Sequence, residues 1–150
     1  MESIYGKQEQ ALPEILGAFR TRIEEIGARV KKRTGSAPYE HLICRVKSDE
    51  SMREKCRRKG LPETAEAALR EIHDAIGVRV VCRFIDDVYV VARALKELSG
   101  VTVFEEKDYI RDVKPNGYRS YHMIVSLEAP FEDVAGKKPG RFFVELQLRT

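Results

Sequence analysis

Tryptophan is absent from these 150 residues, and cysteine occurs only as Cys44, Cys56 and Cys82. An odd number of thiols with no CxxC spacing supports neither a disulfide framework nor a zinc site, and predicts reduced, mostly packed side chains. No stretch nears the roughly 18 consecutive apolar residues that a membrane helix needs, and MESIYGKQEQ lacks the apolar middle of a signal peptide. The expectation is a cytoplasmic protein with no membrane partner. Also missing are GxxxxGKS/T, GxGxxG and GxSxG, which sets aside the usual phosphate-loop, dinucleotide and α/β-hydrolase designs. No internal repeat or low-complexity tract breaks the chain.

What is present suits one ordinary domain: 43% of residues are hydrophobic, enough for a sizeable core at this length. The net charge is only +3, but it is unevenly placed. HLICRVKSDESMREKCRRKG, residues 41 to 60, holds seven Lys/Arg against three Asp/Glu, which leaves the rest close to neutral. Such a local excess suits a polyphosphate or nucleic acid better than a membrane surface. A solvated helix face is the plainer explanation of any charge run.

Periodicity then orders the chain. Leu12, Ile15, Leu16, Phe19, Ile23, Ile26 and Val30 recur at three- and four-residue spacings, so 11 to 33 reads as an amphipathic helix, stopped by Gly35 and Pro38, that serves as scaffold or as an oligomer face. HLICRVK reads as a short strand, followed by a helix capped by Ser48 or Asp49 and ended at Gly60. Pro62 and Gly77 bound a further helix, ETAEAALREIHDAI. GVRVVCRF alternates, with Val78, Val80, Cys82 and Phe84 on one side and Arg79, Val81 and Arg83 on the other. DDVYVVARALKEL predicts a helix capped by Asp86 or Asp87, while VTVFEE, YRSYHMIVSLE and FFVELQLRT predict three more strands. Because the last two strands read as a hairpin, the expected fold is α/β (α+β), a mixed β-sheet flanked by helices, rather than a doubly wound parallel one.

Three groupings carry chemistry. DYIRDVKPNGYRSYH, residues 108 to 122, combines a Lys114-Pro115-Asn116-Gly117 turn with Tyr118, from which a strand sends Ser120 and His122 to one side and Tyr121, Met123, Val125 and Leu127 to the other. Lys107, Arg111 and Lys114 beside Tyr118 suit anionic phosphates plus a flat base. An ordinary surface hairpin is the plain alternative. Second, Ser51, Lys55 and Arg58 fall on one helical stripe led by Arg45 and Lys47, a row of cations fit for a triphosphate or simply for solvent. Third, the final strand faces Glu145, Gln147 and Arg149 away from Phe142, Val144, Leu146 and Leu148. Side-by-side strands would gather Arg79, Arg83, Ser120, His122, Glu145, Gln147 and Arg149 on one face, with Asp74 at its entrance. Among so many cations one carboxylate can hold Mg²⁺ and a second can act as a general base, the minimum for moving a phosphoryl group. Either acid could instead be a structural partner of Arg79 or Arg149. The His73-Asp74 pair spells the dipeptide of metal-dependent phosphohydrolases, but only His41 and His122 remain as further histidines, too few for such a site.

DAIGVRVVCRF, DYIRDVKPNGYRSYH and VELQLRT, in that order, resemble the synthetase domain of RelA/SpoT-type alarmone synthetases, and without a preceding hydrolase domain the chain resembles a small alarmone synthetase. The resemblance implies a nucleotidyltransferase-like domain over 40 to 150, behind an N-terminal helical segment over 1 to 39, and apparently without the family's C-terminal helices. It implies a GTP/GDP diphosphokinase that moves the β,γ-diphosphate of ATP to the ribose 3′-hydroxyl of GTP or GDP with Mg²⁺, making (p)ppGpp in the stringent response. Carried over, the ATP-phosphate contacts are Arg45, Lys47, Ser51, Lys55, Arg58, Arg79 and Lys107. Asp74 becomes the Mg²⁺ ligand and Glu145 the base, with a share in the metal. Tyr118 stacks on guanine, Lys114 and His122 meet the acceptor phosphates, and Gln147 and Arg149 complete the acceptor motif. A homo-oligomer, dimer or tetramer, is implied as well. The competing readings are a catalytically silent nucleotide- or RNA-binding module and a different nucleotidyltransferase that releases pyrophosphate.

Overall fold

A computed structural model describes residues 2 to 150. Its centre is a five-stranded sheet of β1 (His41–Val46), β2 (Ile76–Val81), β3 (Val101–Asp108), β4 (Tyr121–Ala129) and β5 (Gly140–Arg149). The spatial order is β1-β2-β5-β4-β3. β2 and β5 run parallel while every other neighbouring pair is antiparallel, so the sheet is mixed and the β4–β5 hairpin is as expected.

Strand alternation decides which face is covered. Val78 and Val80 of β2, Met123 and Val125 of β4, and Val144, Leu146 and Leu148 of β5 are buried. Helices α1 (Ala11–Thr34) and α3 (Ile85–Lys96) pack against the sheet, α1 on β1 and α3 on β3 and β5. The apolar stripe of α1 is buried along its whole length, each large side chain worth roughly 1.5–3 kcal/mol. That stripe is buried within the chain, so α1 serves as scaffold for the sheet. Gly35, at φ 90°, closes the helix in the left-handed conformation its missing Cβ permits.

Helix α2 (Asp49–Arg58) begins at Ser48, whose hydroxyl accepts from the Ser51 amide at 3.2 Å. Asp49 and Glu50 lie in its first turn and Lys55, Arg57 and Arg58 in its last, each sign matched to the helix dipole. Cys56 and Cys82 are buried and Cys44 is half-buried, all as free thiols. Among the described residues, no helix is long and apolar enough to cross a membrane.

Several local expectations are corrected. The helix expected up to Gly77 ends as a π-turn at Ala67–Glu71; Ile72 is already extended, because Ile76 must pair with Val46 and Val144. Phe84 is not a core residue but the exposed N-cap of α3, and Asp86 and Asp87 sit in the first turn of that helix rather than at its cap. Arg83, beyond the end of β2, leaves the predicted cluster to pair with Glu40 at 2.8 Å. The β4 strand opens at Tyr121, not Tyr118. Ser120 therefore escapes the alternation: it is fully buried, and its hydroxyl donates to the Leu148 carbonyl at 3.3 Å.

Candidate active site

The uncovered sheet face is organised as rows of cross-strand neighbours. One row reads Arg45, Gly77, Glu145, Ile124, Glu105 from β1 across to β3. The next reads Ile43, Arg79, Gln147, His122, Lys107. Residues opposite one another share a face, so β-pairing alone collects these side chains. Gly77 matters here because, lacking a side chain between Arg45 and Glu145, it leaves a gap in the row. A Cβ there would meet only Arg45, at 3.9 Å, so the space is open.

Two hollows flank Glu145. The first, about 150 Å³, is lined by Arg45, Asp74, Arg79, Glu145 and Gln147 beside Gly77, Ile43 and Val78. The second, about 120 Å³, is lined by Glu105, Lys107, Tyr109, Lys114, His122 and Glu145. Glu145 borders both. Its carboxylate accepts from Gln147 Nε2 at 3.1 Å and, among the described residues, enters no ion pair. It is thus not the structural partner of Arg79 or Arg149.

Asp74 stands on the extended segment before β2. One carboxylate oxygen, Oδ2, accepts from Lys47 Nζ at 2.9 Å and Lys55 Nζ at 2.8 Å. The other, Oδ1, is buried with no hydrogen-bond partner among the described residues. Burial by itself raises the carboxyl pKa, but the hydrogen bonds and charges of Lys55 and Lys47 outweigh it and hold the group below its ordinary value. An ionised carboxylate with one orphaned oxygen beside an open hollow is the chemistry a hard cation seeks. No cluster of three or more His, Cys, Asp or Glu occurs among the described residues. A cation on Asp74 and Glu145 would take its remaining ligands from phosphate oxygens and water.

On the other side, Gly117 N–H donates to the Lys114 carbonyl at 2.8 Å, closing the predicted turn. Tyr118 is half-buried, with its hydroxyl 2.9 Å from His122 Nε2. Lys114 Nζ lies 4.5 Å from the Tyr109 ring centroid and 5.7 Å from that of Tyr118, and Arg149 Cζ lies 6.0 Å from the latter. Burial lowers the His122 pKa, Glu145 opposes that, and Lys114, Lys107 and Arg149 add to it, so the ring titrates below its ordinary value.

The structure therefore brings Arg45, Asp74, Arg79, Glu145 and Gln147 together, with Lys47 and Lys55 joined through Asp74. Lys114, Tyr118, His122 and Arg149 form the second group. Lys107 stands opposite His122 in that second hollow rather than beside Arg79. Ser51 and Arg58 remain exposed on α2 and line neither hollow. In the sequence Tyr109 goes unmarked and Gly77 is read only as a helix stop. Tyr109 sits inside the basic motif and could have been noticed there, whereas the gap at Gly77 depends on strand pairing that no local pattern reveals.

The family model described as the region found in RelA / SpoT proteins matches residues 44–150. This chain belongs to the RelA/SpoT family. Two relatives from Bacillus subtilis are named GTP pyrophosphokinase: YwaC, 41% identical over 112 residues, and YjbM, 37% identical over 142. The alignments cover 75% and 88% of the chain but only 53% and 63% of those relatives' own lengths. Among solved structures, the chain is similar to small alarmone synthetase 1 from B. subtilis bound to its product pppGpp, at 33% identity and a TM-score of 0.73, covering 98% of this chain and 69% of that one. A GTP pyrophosphokinase family protein from Streptococcus pneumoniae superposes with a TM-score of 0.77 at 31% identity, covering 93% and 66%. This RelA/SpoT chain thus shares the mixed α+β fold of those structures.

Proposed function

We propose that the chain is a diphosphotransferase that moves the β,γ-diphosphate of ATP to the ribose 3′-hydroxyl of GTP or GDP, giving (p)ppGpp and AMP. The observation that carries this reading is the position of Glu145 between a hollow rimmed by Arg45 and Arg79 and another rimmed by Lys107, Lys114 and His122. A group transfer needs a donor and an acceptor on either side of one base, and in-line placement supplies much of the rate. Supporting it are the names of the relatives and the structures of small alarmone synthetase 1 with pppGpp and with AMPCPP.

In this reading the donor triphosphate lies against Arg45 and Arg79, with Lys47 and Lys55 sharing their charge between Asp74 and the phosphates. Arg58 extends that charge along α2, and Ser51 adds a hydroxyl donor there. The guanine stacks on Tyr118, and Lys114, His122 and Arg149 hold the acceptor, while Gln147, which lines the donor hollow, orients the Glu145 carboxylate. Glu145 accepts the proton of the 3′-hydroxyl as its oxygen bonds to the β-phosphorus, and the bond from that phosphorus to the α,β-bridging oxygen breaks, releasing AMP. Mg²⁺, held by Asp74 and Glu145, would supply charge neutralisation of the donor phosphates. Free thiols and nucleotide substrates fit a cytoplasmic protein, and the proposal extends to a dimer or tetramer.

Incubation with ATP, GTP or GDP, and Mg²⁺ should yield AMP and a guanosine 3′-diphosphate in equal amounts. Free pyrophosphate without that product would point to another nucleotidyltransferase, and nucleotide binding without turnover to a silent module. Tyr118→Ala should weaken GTP or GDP by about 5- to 150-fold, the worth of one stacked base, while leaving ATP nearly unchanged. Calorimetry with each nucleotide separately checks this, and equal losses for both would contradict the assignment.

A further inference from the structure

The segment before α1 reaches into the site from outside the region that the family model covers. Tyr5 is 3% exposed, and its hydroxyl donates to the Lys47 carbonyl at 2.6 Å. Lys47 is the residue that leaves β1, and its own amide donates to the Ala75 carbonyl at 2.8 Å, next to Asp74. Its backbone is thus gripped on both sides while its ammonium bonds Asp74. Neighbouring contacts tie the same segment to the start of α2: Ile4 N–H donates to Asp49 Oδ1 at 2.6 Å, and Arg53 joins Asp49 to the Glu2 carbonyl. Gln8 Nε2 anchors the far end on the Glu132 carbonyl at 3.3 Å.

We propose that residues 2 to 8 form a strap over the β1–α2 junction and that Tyr5 is a positioning residue, acting through the Lys47 peptide to aim that lysine's ammonium at Asp74 and at the donor phosphates. A buried phenol must find a hydrogen-bond partner, and this one spends its only proton on Lys47. Burial, then the nearby Asp74 and Asp49 carboxylates, push its pKa well above the ordinary value, so it stays a donor. The junction between β1 and α2 is short: Lys47 and Ser48 alone separate the two elements. A freed Lys47 carbonyl would let that peptide rotate, and a four-carbon side chain magnifies a small rotation into a displaced ammonium. When a triphosphate draws Lys47 and Lys55 away from Asp74, the strap holds the backbone while the side chain changes partner.

The inference rests on the nucleotide reading above for its ligand, so the test has two arms. Tyr5→Phe keeps the ring and deletes the bond. In the ligand-free protein, amide hydrogen exchange at Lys47 and Ile4 should quicken while core amides of β5 hold their rates. With Mg²⁺ and a non-hydrolysable ATP analogue, Kd should rise about two- to twelvefold, the range one net hydrogen bond spans, and Kd for GTP should stay unchanged. In a Lys47→Ala background the same substitution should change ATP affinity no further. Should Tyr5→Phe fail to fold, Asp49→Ala releases the strap at Ile4 and is read the same way. Unchanged exchange at Lys47, or an equal loss for ATP and GTP, overturns the positioning role. Wild-type protein that binds no ATP would sink the nucleotide reading alone, and exchange at Lys47 would still decide the strap.

Discussion

Glu145→Gln is expected to cut formation of the 3′-diphosphate product by about 100- to 10,000-fold, the usual contribution of a positioned general base, while ATP still binds. The substitution is close to isosteric. Its backbone stays fixed in β5 between Gly77 and Ile124, and an amide oxygen can still accept from Gln147, so the geometry of both hollows survives. What disappears is the site for the proton of the attacking hydroxyl. The amide is a weaker Mg²⁺ ligand than the carboxylate, but it also no longer repels the triphosphate, and with Asp74, Arg45, Arg79, Lys47 and Lys55 in place ATP should still bind. Melting should move little, because Glu145 is only part-buried and among the described residues has no ionic partner to strand. Single-turnover product assays with calorimetry on the same sample separate these outcomes. Turnover within about tenfold of the parent would remove Glu145 from the role of base.

The outward placement of Glu145 was accessible from the sequence because strands have a period of two, while its part as the base came from the family resemblance. Phe142, Val144, Leu146 and Leu148 alternate with Phe143, Glu145, Gln147 and Arg149, and a buried face forces the second set outward whatever the neighbours are. The Lys114–Gly117 turn was legible for the same kind of local reason, as was the Ser48 cap of α2. What failed was whatever a distant strand decides. ETAEAALREIHDAI has helical composition, yet pairing of Ile76 with both Val46 and Val144 claims its end for β2. Ser120 obeys the Leu148 carbonyl rather than strand alternation, and Lys107 lines the second hollow, opposite His122, because β3 pairs with β4 at the far edge of the sheet. The mixed order β1-β2-β5-β4-β3 sets all three outcomes, and it is a property of long-range pairing. Tyr5 lay in a segment noted only for its lack of an apolar stretch, and nothing local marks a phenol that will bond a carbonyl 42 positions away.

Asp74→Asn is expected to lose product formation at least about 100-fold and, with it, the Mg²⁺ dependence of ATP binding, since neutralising donor phosphates is worth several kcal/mol at such sites. It should also destabilise the fold. Lys47 and Lys55 both converge on Oδ2, and an uncharged amide leaves two ammonium groups side by side with nothing to offset them. Both lysines retain some solvent, 12% and 21% of their side-chain surface, so the loss should be about 1–3 kcal/mol, below the 3–5 of a fully buried pair. The pH dependence gives the sharper result. The folded carboxyl titrates below its reference of 3.8, so its stabilising contribution is complete above that value and disappears as pH falls through the folded pKa. Urea unfolding should therefore separate parent and variant at pH 7 and bring them together once Asp74 is protonated in the parent as well. A gap of equal size at pH 7 and pH 2 would mean that packing, and not the two lysines' hold on an ionised Asp74, accounts for the difference.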